Sequence, residues 1–312
     1  MKKYIIKIST FMFGLFIALV IISRIFVPKN NSEEAGMNNI QAMTILGEKQ
    51  NTIDVIMYGD SESIASTIPI YLWQDYGFTS FICGTSGQTL PDTCRIAFDT
   101  LKNQKPKLVI LEADNIYLPT RITVPVARVL YKILPIMEYH DRWKDLNKDD
   151  FLGRINYTQT DEHKGYHFLP QTNPAEVTDY MSYTDEVEQI PQSNKLYIKM
   201  LKKYCEMKGS QFAIVSVPSY KNWDYKKHNG VQEFANQENI EFIDLNIDGV
   251  NIDWNLETAD QGEHVNYNGA VKVTEYIGKW LKSKNILENH KDDEEYSNWT
   301  DDLFKTRLYY GK

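Results

Sequence analysis

"VIMYGDSES", Val55 to Ser63, opens as an unbroken apolar run and turns polar at Gly-Asp-Ser. A run that is apolar on both faces suits a strand covered by helices on either side, as the strands of a parallel sheet are. Open sheets of that kind bind ligands just beyond the carboxyl ends of their strands. Ser61 therefore stands where a reactive side chain belongs, and Gly59 permits the tight turn before it. A serine hydroxyl is a poor nucleophile until a base takes its proton, so the reading depends on a histidine elsewhere in the chain.

Outward from this stretch the same alternation recurs. "IDVIMY" starts the first strand at Ile53; "TSFIC", "KLVILEA", "QFAIVSV" and "IEFIDL" supply four more. Helical patterns separate them. One opens near Pro69, and "LPDTCRIAFDTLKNQ" carries Leu90, Cys94, Ala97, Phe98 and Leu101 on one face. "NKLYIKMLKKYCEMKG", "GVQEFANQEN" and "NGAVKVTEYIGKWLKSK" follow. Strand and helix in strict alternation predict an α/β protein with a central parallel sheet. From about 118 to 193 the interval is too long for a simple crossover and predicts a partly helical insertion over one edge of the sheet.

The first residues, "MKKYIIKISTFMFGLFIALVIISRIFVPKN", place lysines before an apolar stretch and Arg24 after it. Roughly 20 residues cross the hydrocarbon of a bilayer, and Tyr4 to Val27 suffice if Lys7 and Arg24 snorkel. No small-x-small cleavage site follows Ile22, which favours an uncleaved anchor over a removed signal peptide. The leading lysines predict a cytoplasmic start and a single pass through the cell membrane, with the remainder extracytoplasmic. The expected organisation is an anchor over 1–28, a tether over 29–49, an α/β domain over 50–284 and a surface tail over 285–312.

The formal charge of −8 and pI near 5.4 argue against a nucleic-acid grip, which needs clustered basic residues. Cys83, Cys94 and Cys205 make neither a disulfide framework nor a Cys-x-x-Cys metal pair, and read as buried thiols. No metal cluster, phosphate loop or dinucleotide fingerprint is visible in the sequence, and no cofactor is expected.

Of the six histidines, His264 is distinctive. "TADQGEHVNYNGA" places it in the loop leading into the last helix of the domain, with Asn268 as the expected N-cap. That loop can reach the same carboxyl edge as Ser61. A carboxylate on the second ring nitrogen would fix the tautomer and stabilise the imidazolium. Asp260 and Glu263 both flank the histidine; Asp260 is preferred because adjacent side chains seldom converge.

"YGDSES" with Ser61, "GTSGQTL" with Gly87 and "DQGEHVNYNGA" with His264 resemble, in order and spacing, three signature blocks of the SGNH/GDSL hydrolase superfamily. The resemblance covers about residues 50 to 284. It implies a flavodoxin-like three-layer sandwich around the parallel sheet, with Ser61 as nucleophile, His264 as base and Asp260 as orienting acid. It also implies an oxyanion hole from the backbone N–H groups of Ser61 and Gly87. Two blocks depart from the pattern. The acid stands four residues before the histidine instead of three, and "LEADNIY" offers Asp114 and Asn115 where a Gly-x-Asn-Asp block is expected. Asn115 is the candidate third oxyanion donor, and an ionised Asp114 beside it would oppose a developing anion.

"YHDRWKDL", "HKGY" and "KPKLVILE" are similar to membrane-anchored bacterial members linked to surface polysaccharides. That likeness implies O-acyl transfer, with acetyl the expected group, to a cell-envelope polysaccharide, in cooperation with a multi-span membrane-bound O-acyltransferase. His140, Arg142 and Trp143 are candidate substrate contacts, since an indole stacks on sugar faces and a guanidinium holds anions. The competing reading of these three is packing of the insertion on the sheet. Two rival functions stand beside transfer: a carbohydrate or lipid esterase of the same fold, and a catalytically silent polysaccharide-binding scaffold.

Overall fold

A computed structural model describes residues 2–120 and 130–311 of the chain. The "RITVPVARV" part of the expected insertion, 121–129, lies outside the described residues.

The chain begins with α1 (Lys2–Ser23), whose apolar residues are exposed along most of its length. Its span to Phe26 is long and apolar enough to cross a membrane. The next stretch, expected as a free tether, is instead packed down: α2 (Ile40–Met43) and the turn after it bury Met43, Ile45 and Leu46. Those three apolar side chains, spaced among polar neighbours, outweigh the polar composition that suggested a solvated linker.

β1 (Val55–Gly59) then enters the core with every residue buried. Two short helices follow, α3 (Ser61–Ser66) and α4 (Pro69–Tyr76), before β2 (Ser80–Gly84). α5 (Leu90–Asn103) returns to β3 (Leu108–Glu112). The described part of the insertion contains α6 (Ile136–Tyr139) and α7 (Lys148–Leu152). α8 (Gln192–Met207), β4 (Gln211–Ser216), α9 (Tyr225–Glu238), β5 (Glu241–Asp244) and α10 (Tyr267–Ser283) complete the alternation.

The five strands are all parallel and lie in the order β2-β1-β3-β4-β5. This is the flavodoxin-like doubly wound order expected for the three-layer sandwich, and its switch point lies between β1 and β3. Ser61 and Asp114 follow those two strands, so the order of the sheet alone brings them to one crevice.

Gly59 shows why the apolar run must end in glycine. A Cβ there would lie 2.6 Å from the Glu112 Cβ and 2.8 Å from the Ser63 Cβ. The missing side chain lets α3 sit directly over the ends of β1 and β3, which presents Ser61 at the first turn of the helix.

Part of the insertion covers the β2 edge. Ile82 N–H donates to the Lys164 carbonyl at 2.9 Å. The Lys164 side chain is fully buried, bonded to Glu48 at 2.8 Å and Asp302 at 2.6 Å, with the Trp299 ring beneath it. Asp302 and Trp299 belong to α11 (Ser297–Tyr309). The tail expected as a surface wrap thus ends in a helix whose Trp299 packs on Trp73 of α4, ring centroids 5.7 Å apart. The charged composition of 285–312 concealed this because a few large side chains, rather than an apolar stripe, do the anchoring.

Candidate functional site

The loop before α10 is a tight reversal. Ala259 N–H and the Thr258 hydroxyl both donate to the His264 carbonyl, each at 3.0 Å, which folds residues 258–264 back on themselves. The insertion braces it from outside: Asn173 N–H donates to Thr258 O at 3.1 Å, and Gln261 N–H donates to Asn173 O at 2.9 Å. α10 is capped by Asn266, whose side chain accepts from the N–H groups of Asn268 and Gly269. The cap therefore stands two residues before the expected Asn268, which lies inside the helix.

Within this reversal Asp260 makes two bonds to His264. Its Oδ1 accepts the His264 backbone N–H at 2.7 Å, and its Oδ2 lies 2.5 Å from Nδ1. A carboxylate accepts only, so this partner assigns the ring proton to Nδ1 and leaves the Nε2 lone pair available. Nε2 is buried and has no hydrogen-bond partner. Glu263 is the immediate neighbour, yet the ring nitrogen bonds Asp260.

Ser61 is half-buried and its hydroxyl donates to Glu62 Oε2 at 3.1 Å. Glu62 is 97 % buried by its exposure of 3 %, and its Oε1 lies 3.9 Å from His264 Nε2. The Asn222 amide donates to the same Oε1. Ser61 and His264 thus share one carboxylate as neighbour, and the direct Ser61 to His264 hydrogen bond is not formed in this conformation. Glu62 was missed in the sequence; a glutamate in the first turn of a helix reads as an ordinary dipole partner, and nothing local marks it as buried.

Gly87 lies on the turn after β2 with φ of +63°, and open space surrounds the position a Cβ would take. β2 pairs with β1 through Gly59 and Gly84, so this turn emerges beside the first turn of α3. Asn115 is fully buried; its amide donates to the Thr93 hydroxyl at 3.3 Å, and its Oδ1 has no partner.

Acidic groups crowd this crevice. Asp60, Glu62 and Asp114 bring carboxylate oxygens within 4.8 Å of one another, a gathering of separate chain segments that the linear sequence did not reveal. Burial first, then the charge of Glu62, pushes the Asp114 carboxyl up to about 7, although Lys227 Nζ at 3.7 Å opposes the shift. Burial also raises Asp60 and Glu112, with neighbouring carboxylates adding to it. Each upward shift favours the neutral carboxyl, which lessens the negative charge facing any oxyanion.

A cavity of about 430 Å³ adjoins the acidic crevice, lined by Tyr180, Tyr220, Asn222, Trp223 and Lys227 among others. Asn222 and Lys227 connect it to Glu62 and Asp114. The three residues proposed for sugar contact are placed elsewhere. Arg142 is buried, bonded to Phe26 O at 2.6 Å and Asp150 at 2.7 Å, and Trp143 is exposed beside it. His140 is an exposed member of the same turn, 3.3 Å from Asp141. All three belong to the foot of α1 and are not brought together with Ser61 or His264. The aromatic rings near the crevice are instead Tyr180, Tyr220 and Trp223, which spacing in the sequence did not connect to the site.

No family model matches this chain, and no curated protein matches it. Solved structures do. A lipase/acylhydrolase from Enterococcus faecalis is similar at 12 % identity and a TM-score of 0.42, covering 76 % of this chain and 98 % of its own. A psychrotrophic esterase, EstA from a Pseudoalteromonas species, is similar at 13 % identity and a TM-score of 0.41, over 73 % of this chain and 98 % of its own. A GDSL-like lipase from Bacteroides thetaiotaomicron is similar at 11 % identity and a TM-score of 0.40, over 78 % of this chain and 96 % of its own. At such identities and scores the chemistry has to be read from this chain's own residues.

Proposed function

We propose that this chain is a membrane-anchored, extracytoplasmic serine O-acyltransferase of the SGNH type, which moves an acyl group, acetyl in the simplest case, onto a cell-envelope polysaccharide. The observation that carries the reading is the Asp260–His264 pair, whose unpartnered Nε2 is separated from the Ser61 hydroxyl by a single carboxylate.

A rotation of the Ser61 side chain away from Glu62 delivers its proton to Nε2. The freed oxygen attacks the acyl carbonyl, and the oxyanion forms against the N–H groups of Ser61 and Gly87. Such donors bind charge that appears only in the tetrahedral state, each worth about 3 kcal/mol. Collapse expels the donor alcohol, which takes the proton from Nε2 and leaves an acyl-serine. A sugar hydroxyl then gives its proton to Nε2 and attacks the ester, which restores Ser61. The aromatic cavity beside Asn222 and Lys227 suits the acceptor, because sugar rings stack on Tyr and Trp faces. Water in place of the sugar gives the esterase by the same steps. The acyl supply across the bilayer is assigned to a membrane-bound O-acyltransferase partner, the role that an N-terminal anchor would serve.

A silent polysaccharide-binding scaffold is the second reading, favoured by the Ser61 bond to Glu62 and by the Asn115 amide being turned to Thr93. A fluorophosphonate probe separates the two. Labelling of the full chain at Ser61, abolished in His264→Ala, supports chemistry; folded protein that binds glycan and never labels rejects it.

A further inference from the structure

Four exposed apolar side chains of the insertion lie close to the exit of α1. Trp143, Phe151, Leu152 and Ile155 are 64 %, 60 %, 86 % and 54 % exposed. Each stands within two residues of a side chain or backbone group tied, directly or through Arg142, to the segment that leaves α1. Trp143 follows Arg142, whose guanidinium holds Phe26 O; Phe151 and Leu152 follow Asp150, which holds the same guanidinium. Ile155 precedes Asn156, whose N–H donates to Lys29 O at 2.8 Å and whose carbonyl accepts from the Asn30 amide at 2.9 Å.

These bonds fix the group rigidly. The Arg142 side chain is 8 % exposed and passes over Gly36, where a Cβ would lie 2.8 Å from its Cδ. α7 is held by a capping box between Asn147 and Asp150 and is only about 8 Å long at about 1.5 Å per residue. Phe151 and Leu152 therefore cannot lie far from the point where α1 ends.

We infer that α6, α7 and the turn between them form an interfacial foot that rests in the headgroup layer of the bilayer beside α1. The inference rests on reading α1 as a membrane anchor. An amphipathic Trp and large apolar side chains are the residues that favour this layer. The charges of 140–156 balance, with Asp141, Asp145, Asp149 and Asp150 against Arg142, Lys144, Lys148 and Arg154. The attraction is consequently apolar, and the partner is a lipid surface regardless of its headgroup charge. Two contacts, one spanning and one superficial, would stop the α/β domain from swinging about α1 and would hold its crevice at one fixed attitude to the membrane.

The test uses the full chain in phosphatidylcholine nanodiscs, with a fluorophore on Leu152→Cys, on Phe151→Cys as a second position, and on Leu196→Cys of α8 as an exposed control. All three native cysteines are buried, so labelling falls on the introduced thiol. Lipids carrying a quencher near the headgroup are expected to quench positions 152 and 151 several-fold more than position 196. Equal quenching at 152 and 196 overturns the inference. So does a label at 152 that lipid leaves bright but that native membranes shield from aqueous iodide, since a protein partner then covers the patch. A label on Phe13→Cys reports the anchor separately: quenching there by deep-lying quenchers, without quenching at 152, rejects the foot alone, while loss of both rejects the anchor.

Discussion

Asp260 grips His264 twice, once through the backbone N–H and once through the ring, at 2.7 and 2.5 Å. One carboxylate thus fixes both the loop and the tautomer of the imidazole. Asp260→Asn keeps the shape but can present an amide N–H to Nδ1, which favours the other tautomer. Hydrolysis of an aryl acetate should fall by roughly 10³- to 10⁴-fold in kcat, as expected when an orienting acid is lost. Glu263→Gln should change kcat less than about 3-fold, because its half-buried carboxylate lies near the ring but makes no bond to it. Steady-state kinetics on the two variants checks both.

Glu62 sits between Ser61 and His264; on the proposed mechanism its carboxylate faces the imidazolium that forms as Ser61 gives up its proton. Glu62→Gln retains the volume and removes that charge. Acylation should slow by about 10- to 100-fold, the scale of a lost electrostatic contact in a dry site. Stopped-flow measurement of the acylation burst reads this directly. An unchanged burst would reduce Glu62 to a packing role.

Asp114 predicts a pH dependence of stability. Its folded carboxyl titrates at about 7, above its ordinary value near 3.8, so the native state binds more protons than the unfolded chain between those limits. Stability contributed by this group is therefore full at low pH and declines as pH rises from about 4 through 7. Asp114→Asn carries no such proton, and thermal unfolding in nanodiscs at pH 5 and pH 8 should differ less than for the unaltered chain. A steeper difference in the variant would contradict the assignment.

Lys164 is a buried cation between two carboxylates, and removing it alone leaves Glu48 and Asp302 facing each other without a counter-charge. Lys164→Met should cost about 3–5 kcal/mol, the usual consequence of breaking a buried ionic group from one side. The triple variant with Glu48→Gln and Asp302→Asn should recover much of the loss. Unfolding midpoints of the two chains make the comparison.

β1 to β4 were legible because burial on both faces forces long apolar runs, β5 is a partly exposed edge strand, and all five observed strands fall within a residue or two of the runs in the sequence. α3 was not legible, since six residues of "SESIAS" are too few to show a helical period. The pairing at His264 was legible from spacing: four positions bring Asp260 round a tight reversal onto the ring nitrogen, while Glu263 stays nearby without bonding it. Glu62 and the acidic crevice were hidden, because their proximity comes from β1 and β3 lying side by side, which no single segment encodes. Trp143 and Arg142 left two readings open in the sequence, sugar contact and packing. Their chemistry fits a sugar, but the fold spends it on the foot of α1, where Arg142 ties Phe26 to Asp150.

The reversal that carries His264 is made from residues near the end of the polypeptide, whereas Ser61 leaves the ribosome early. With about 200 residues between them and synthesis at about 5–20 residues per second, the serine of the proposed mechanism waits roughly 10–40 s for its base. On that mechanism a nascent chain carries a hydroxyl with no means of activating it. Competence would then arrive only when the loop that carries His264 has emerged and folded beside Glu62, so that completion of folding itself would serve as the safety catch.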